Sequence, residues 1–276
     1  MKWCEKKEMN FTNKIALILV STAKEYFSMQ VDLCLAKYFN NKVSENKKID
    51  LFIFFNQGEE SDYSGLLKLK SHKNINNIFV KSHKLSLIDD IYLKSVNEMV
   101  TLKDTPKLGV SAGANNLFFD SMIPLCDSDY DNLLMIESDT QPIQDYWLDK
   151  ILNYCRNHDF LIAGSTYKGE TEIPIFQAWT GHLNGVAIYK CNAMLALLLN
   201  YAKKLIAAEV SSGVTNFLNF DCAIHQLCCS LEGRRYFAQK VIDTDIISNY
   251  SLPSDKKTSI KRVLERHPQT IILHKK

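Results

Sequence analysis

Between residues 133 and 151 the chain runs from four apolar residues straight into Glu137-Ser138-Asp139, meets Pro142, and then turns amphipathic. The run 133–136 (LLMI) is too short for a helix of its own and reads as a buried strand. After the break at Pro142, Trp147, Leu148, Ile151 and Cys155 recur at helical spacing. Two carboxylates at i and i+2, where a strand leaves a sheet, both reach the crevice beyond its carboxyl end. Open α/β sheets bind ligands in that crevice. Carboxylate oxygens are hard donors suited to Mg²⁺ or Mn²⁺. An isolated E-x-D is far more often an ordinary solvated turn, so the flanking sequence has to decide.

The rest of the chain alternates strand and helix patterns. Residues 15–20 (IALILV) and 50–55 (DLFIFF) are continuous apolar runs, as buried parallel strands read. The second ends at Asn56-Gln57-Gly58, and 75–80 is a weaker third strand. Phe27, Val31, Cys34, Leu35 and Tyr38 give 24–39 a helical period, as Ile88, Ile91, Tyr92, Val96 and Met99 do for 87–100. This β-α-β-α order predicts an α/β fold, a mostly parallel central sheet with helices on both faces. Downstream the pattern is mixed. Strands are expected at 160–163 and 186–189, with a polar loop at 164–172. Helices follow at 194–205 and 220–231, the latter closed by Gly233, then strands at 236–242 and 271–273. No repeat or linker composition divides the chain, so one domain spanning 1–276 is expected.

Several segments share an order with a known family. LGVSAGANNLFFDSM (108–122) is a Gly- and Ser-rich turn feeding a short apolar-faced helix, followed by a strand and the acidic turn. That order resembles the nucleotide-sugar-binding half of GT-A-fold glycosyltransferases, whose acidic motif is usually D-x-D. GHLNGVAIY (181–189) resembles the family's strand facing donor sugar and acceptor. FDCAIHQL (220–227) resembles its acid-bearing helix start, and the terminal ILHKK resembles the late histidine that completes the metal site. The matches cover 108–276 in order; the first hundred residues match in general pattern only.

The resemblance implies a single GT-A-like domain, with about 14–140 binding the nucleotide and about 141–276 facing the acceptor. It implies transfer of a sugar from a nucleoside-diphosphate donor, UDP favoured and GDP possible, to a hydroxyl acceptor such as a glycan. Mn²⁺ (or Mg²⁺) would be the cofactor, bridging the diphosphate through Asp139 with His274 as a second ligand. Glu137 replaces the usual first Asp and falls to a ribose or water contact, with Ser138 beside it. Lys275 would pair with a phosphate. Gly109, Ser111, Asn115 and Asn116 would face the nucleotide with their turn, His182, Asn184 and Gly185 the donor sugar. Asp221 would be the base that deprotonates the acceptor.

Each position also has a plainer reading. Ser21 and Thr22 follow the first strand and Asn56 the second, where a base or ribose would lie, yet Ser and Thr there also cap helices. Residues 109–116 could be a plain turn and cap. Asn184-Gly185 is the strongest short hairpin signal, and Asp221 could simply be an N-cap. His274 and Lys275 sit on a polar terminal tail whose removal should cost little core.

Composition excludes other classes. A formal charge of +2 gives no sign of a nucleic-acid partner. The eight cysteines show no C-x-x-C and no zinc spacing, and several sit in apolar helical patterns, which points to a reducing, cytoplasmic compartment. The N-terminal MKWCEKKEMNF has no signal-peptide core, and 193–199 is too short to span a membrane. A sugar-nucleotide pyrophosphorylase would carry a G-x-G-T-R-type loop after the first strand, where this chain has STAKEYF. A catalytically inactive sugar-nucleotide- or glycan-binding domain is the remaining alternative, and the acids Asp139 and Asp221 speak against it.

Overall fold

Residues 14–45, 47–92, 106–169, 181–251 and 258–275 are described by a computed structural model. The apolar runs form the centre of a seven-stranded sheet. β1 (Ile15–Ser21) lies between β2 (Ile49–Phe55) and β4 (Asn132–Ile136), parallel to both, and β3 (Ile75–Ser82) lies parallel outside β2. On the other flank β7 (Ala187–Lys190) runs antiparallel between β4 and β6 (Ile162–Gly164), and β8 (Val241–Asp243) closes the sheet parallel to β6. The order is β3-β2-β1-β4-β7-β6-β8, a mostly parallel sheet.

Continuous apolar runs are needed because β1 and β4 are covered on both faces. Successive strand residues point to opposite sides. Leu17, Leu19, Leu134 and Ile136 join one cluster with α2 (Gln30–Asn40) and α4 (Trp147–Asn157). Ala16, Ile18, Leu133 and Met135 join the other with α3 (Ala112–Leu125), α5 (Ala193–Ser211) and α6 (Phe220–Cys229). Each fully buried Leu or Ile contributes about 1.5–3 kcal/mol.

A second sheet is foreshadowed in the sequence reading only by the strand expected at 271–273. β10 (Ile272–Lys275) is its middle strand, antiparallel to β5 (Thr140–Pro142) and parallel to β9 (Ile247–Tyr250). The expected polar tail is therefore a central strand, and His274 is buried at 1% exposure. Removing it would break two ladders.

Local details depart from expectation for identifiable reasons. The helix expected over 24–39 is split into α1 (Ala23–Phe27) and α2, because Met29 takes a left-handed conformation at φ 62°. Phe27 ends α1 exposed instead of joining the core. The helix expected over 220–231 stops at Cys229. Ser230 turns extended, and its hydroxyl accepts the Gly233 N–H to cap α7 (Leu231–Tyr236). Gly233 thus lies inside α7, where a Cβ would meet the Leu227 carbonyl oxygen at 1.7 Å. The strand expected at 236–242 shrinks to β8, and the helix expected at 194–205 extends through Ser211. Residues 87–90 form a turn, whereas 93–100 of the helix expected there lie outside the described residues. The same holds for 170–172 of the expected polar loop. A 3₁₀ stretch at Glu60–Ser71 and α8 (Ile260–Arg266) complete the fold. Among the described residues no helix is long and apolar enough to cross a membrane.

Candidate active site

The acidic turn is held from beneath. β4 ends at Ile136, and the Glu137 carbonyl then accepts from the Thr140 N–H at 3.1 Å and the Thr140 hydroxyl at 2.7 Å. The same carbonyl receives the Cys34 thiol at 3.4 Å, while the Tyr38 hydroxyl donates to Thr140 Oγ1 at 3.1 Å. Burial pushes the Cys34 thiol up to about 12 and raises the Tyr38 phenol as well, so both stay neutral donors.

The second sheet brings in the imidazole. β5 continues the turn and sets Thr140 opposite His274, and the Lys275 N–H donates to the Asp139 carbonyl at 3.2 Å. His274 Nε2 then lies 3.1 Å from Asp139 Oδ1 and 3.6 Å from Glu137 Oε2. Side chains of Glu137, Asp139 and His274 each offer one ligand atom within 4.8 Å of the others. Two carboxylate oxygens and an imidazole nitrogen form a donor set that fits Mn²⁺ and, less well, Mg²⁺. The Lys275 ammonium donates to the Thr258 carbonyl.

Ser138 leads back to the first strand. Its hydroxyl donates to Glu25 Oε1 at 2.6 Å, and Glu25 Oε2 accepts from the Ser21 hydroxyl at 2.9 Å and the Thr22 N–H at 2.8 Å. Thr22 in turn accepts the Glu25 N–H, so Thr22 and Glu25 form a capping box at the start of α1. Thr22 is thus the N-cap of α1, and Ser21 is tied to the same carboxylate through its hydroxyl. Glu25 joins the β1 exit to the acidic turn, a role missed in the sequence although T-x-x-E is the capping-box pattern. At the β2 exit Asn56 is buried and its amide donates to Asp90, while its Oδ1 has no hydrogen-bond partner among the described residues.

The glycine turn is tied inward. Gly109 takes φ 74°, and a Cβ there would meet the Asn216 carbonyl oxygen at 2.5 Å. The N–H groups of Gly109 and Val110 donate to Pro106 and Asn216 carbonyls, and that of Gly113 to Ile91. Ser111 is buried as the N-cap residue of α3. Asn115, fully buried, donates to the Leu108 and Leu218 carbonyls at 3.0 Å each and accepts the Phe220 N–H at 2.8 Å. It clasps the glycine turn to the start of α6. Asn116 donates to the Asp89 carbonyl at 3.1 Å.

That clasp positions the second acid. The N-cap of α6 is Asn219, so Asp221 lies inside the first turn, where its Oδ1 accepts the Cys222 N–H at 2.8 Å. Asp221 Oδ2 lies 3.4 Å from His182 Nε2. Burial pushes the His182 imidazole down, but the Asp221 and Cys222 hydrogen bonds and the Asp221 charge outweigh it and lift His182 to about 10. Asn184-Gly185 forms no tight hairpin. Gly185 has no positive φ, Asn184 Oδ1 accepts the Val186 N–H at 3.0 Å, and a Cβ on Gly185 would meet Phe220 Cζ at 2.5 Å. The glycine is required for close packing on the Phe220 ring, which itself stacks on Phe118 at 3.8 Å.

The two acidic groups share one end of the sheet: β7 runs antiparallel to β4, so the segment carrying His182 toward Asp221 enters where β4 gives way to Glu137. Burial first, then the charges of Asp221 and Glu137, push the buried Tyr189 phenol up. A cavity of about 350 Å³ opens beside Asp221, lined by Asn184, Thr166 and His225 with apolar walls from Leu183, Ile224 and Val241.

The sequence matches no protein family and no curated protein. Its structure is similar to the apo crystal structure of mouse xyloside xylosyltransferase 1, with a TM-score of 0.54 at 10% identity over 95% of this chain and 97% of that one. It is also similar to the apo structure of the bifunctional glycosyltransferase WbbM, with a TM-score of 0.53 at 11% identity over 96% of this chain and 46% of that one. The chain therefore has the GT-A-like fold shared with these enzymes.

Proposed function

We propose that this chain is a metal-dependent glycosyltransferase that moves a sugar from a nucleoside-diphosphate donor, UDP favoured and GDP admitted, to a hydroxyl acceptor such as a glycan. One observation carries the reading: Asp139, Glu137 and His274 converge at the carboxyl end of β4 in a fold that glycosyltransferases use. In this reading roughly residues 14–140 bind the nucleotide and the remainder faces the acceptor.

Asp139 and His274 would hold a divalent ion, and Glu137 would contact the ribose or a water. Mn²⁺ or Mg²⁺ bound there would offset the negative charge that gathers on the departing diphosphate, a contribution of several kcal/mol. Asn56, whose buried Oδ1 has no partner among the described residues, would receive an N–H of the base. His182, Asn184 and Gly185 would border the donor sugar, and Lys275, whose backbone N–H meets the Asp139 carbonyl, would pair with a phosphate by turning its ammonium from the Thr258 carbonyl. Asp221 takes the proton of the acceptor hydroxyl, held in place by His182 at 3.4 Å. Such general-base help is worth about 10²–10⁴-fold. The cavity beside Asp221 receives the acceptor. The capping box at the β1 exit leaves no glycine loop of pyrophosphorylase type there.

A thermal-shift screen of UDP-, GDP- and dTDP-sugars with and without Mn²⁺ tests the reading. A true donor at about 100 Kd adds about 2.7 kcal/mol, and the gain should need Mn²⁺. Stabilisation by none of the donors, or equal stabilisation in EDTA, would contradict it.

A further inference from the structure

We infer that His182, Asp221 and Cys222 form a second cation site, one for a thiophilic divalent ion such as Zn²⁺. The three side chains offer one nitrogen, one oxygen and one sulfur, all within 4.8 Å of one another. Tetrahedral Zn²⁺ with ligand bonds of this kind separates neighbouring donor atoms by roughly 3.3–3.8 Å. The His182 Nε2 to Asp221 Oδ2 distance, 3.4 Å, already has that length.

The site is built on fixed elements. Asp221 and Cys222 are consecutive in the first turn of the ten-residue α6, whose start is pinned by Asn115 and by the Phe118–Phe220 stack. His182 comes from the segment leading into β7. All three residues are partly exposed, and Asp221 borders the 350 Å³ cavity, which gives an ion a way in. Coordination requires the imidazole and thiol to be deprotonated, so the ion displaces protons from His182 and Cys222.

Chemistry separates this site from the one at Asp139. Sulfur selects Zn²⁺ over Mn²⁺ and Mg²⁺, whereas the two carboxylates beside His274 suit the harder ions. An ion held by Asp221 also occupies the carboxylate assigned as base. Zn²⁺ therefore blocks transfer while Mn²⁺ supports it. This consequence rests on the proposed function; the binding itself does not.

Co²⁺ titration of the full chain tests the site, because cobalt in place of Zn²⁺ gives a near-ultraviolet charge-transfer band only when a thiolate is a ligand. The wild-type protein should develop the band, and Zn²⁺ should erase it. Cys222→Ser should lose it, while Asp139→Asn and Cys229→Ser keep it. His182→Gln should weaken Co²⁺ binding about tenfold or more, since even residues behind a ligand are worth that much. No band in the wild type, or a band that survives Cys222→Ser, would overturn the site whatever turnover does. With Mn²⁺ saturating, Zn²⁺ should suppress turnover in the wild type but not in Cys222→Ser. A band without suppression would leave the binding site standing and overturn its link to Asp221 chemistry.

Discussion

His274 Nε2 stands 3.1 Å from Asp139 Oδ1, and the approach is set by backbone pairing: β10 places His274 opposite Thr140, the residue after Asp139. The histidine arrives on the middle strand of a sheet, not on a tail. Local side-chain changes and chain truncation should therefore have different effects.

His274→Gln should lower metal-dependent turnover by about 10²-fold or more, the loss expected when an interaction made in the transition state disappears. Its melting temperature should change little, because the ladder is backbone. Deleting residues 274–276 should instead lower the melting temperature by several degrees, since hydrogen bonds to β5 and β9 are lost at about 1 kcal/mol each. Calorimetry on the two variants separates the cases. A truncated chain as stable as the wild type would contradict the central position of β10.

Asn115→Ala should destabilise the protein by about 2–4 kcal/mol, because two carbonyls and one N–H are left buried without their partner. Urea denaturation measures this. Turnover should fall as well, because the clasp sets the start of α6 and hence Asp221. A stability loss below about 0.5 kcal/mol, the level of an ordinary surface change, would show that the clasp carries no weight.

The His182–Asp221 pair makes stability depend on pH. The folded protein holds the His182 proton up to about 10, against 6.5 for an ordinary imidazole. A raised folded value means the contribution is fully present below pH 6.5 and is lost as pH rises through about 10. In EDTA, melting temperatures between pH 6 and pH 10 should fall more steeply for the wild type than for His182→Gln. Parallel curves would contradict the pairing.

Asp221→Asn should leave the helix intact, because Asn219 is the N-cap and an amide oxygen can still accept the Cys222 N–H. The expected loss is therefore chemical: kcat down by about 10²-fold or more with donor binding nearly unchanged. NMR of the product's anomeric proton gives an independent check. Inversion of configuration is expected, and retention would remove the need for this base.

What the sequence discloses follows how local each signal is. The buried strands over 15–20, 50–55 and 133–136 and the amphipathic helix after Pro142 are written in runs and periods a few residues long, and they appear in the structure nearly as read. The acidic turn is legible for the same reason. The second sheet is legible only in its last strand, read at 271–273; β5 and β9, three and four residues long, gain meaning only by pairing with β10. Burial of His274 is likewise a property of that pairing. The left-handed Met29 and the break at Ser230 lie in helical periodicity that continues across them. Asn115 looks like a turn residue until the distant Leu218 and Phe220 are brought to it. Glu25 was accessible from T-x-x-E as a cap, but its contact with Ser138 was not.

Release of free nucleotide from UDP- and GDP-sugars, in Mn²⁺ and in EDTA, for the wild type and Asp139→Asn, tests the central claim most directly. The account predicts release by the wild type from at least one donor in Mn²⁺. It predicts that EDTA removes the activity and that Asp139→Asn, still folded, lacks it in either condition. Full release in EDTA, or full release by Asp139→Asn, would contradict it.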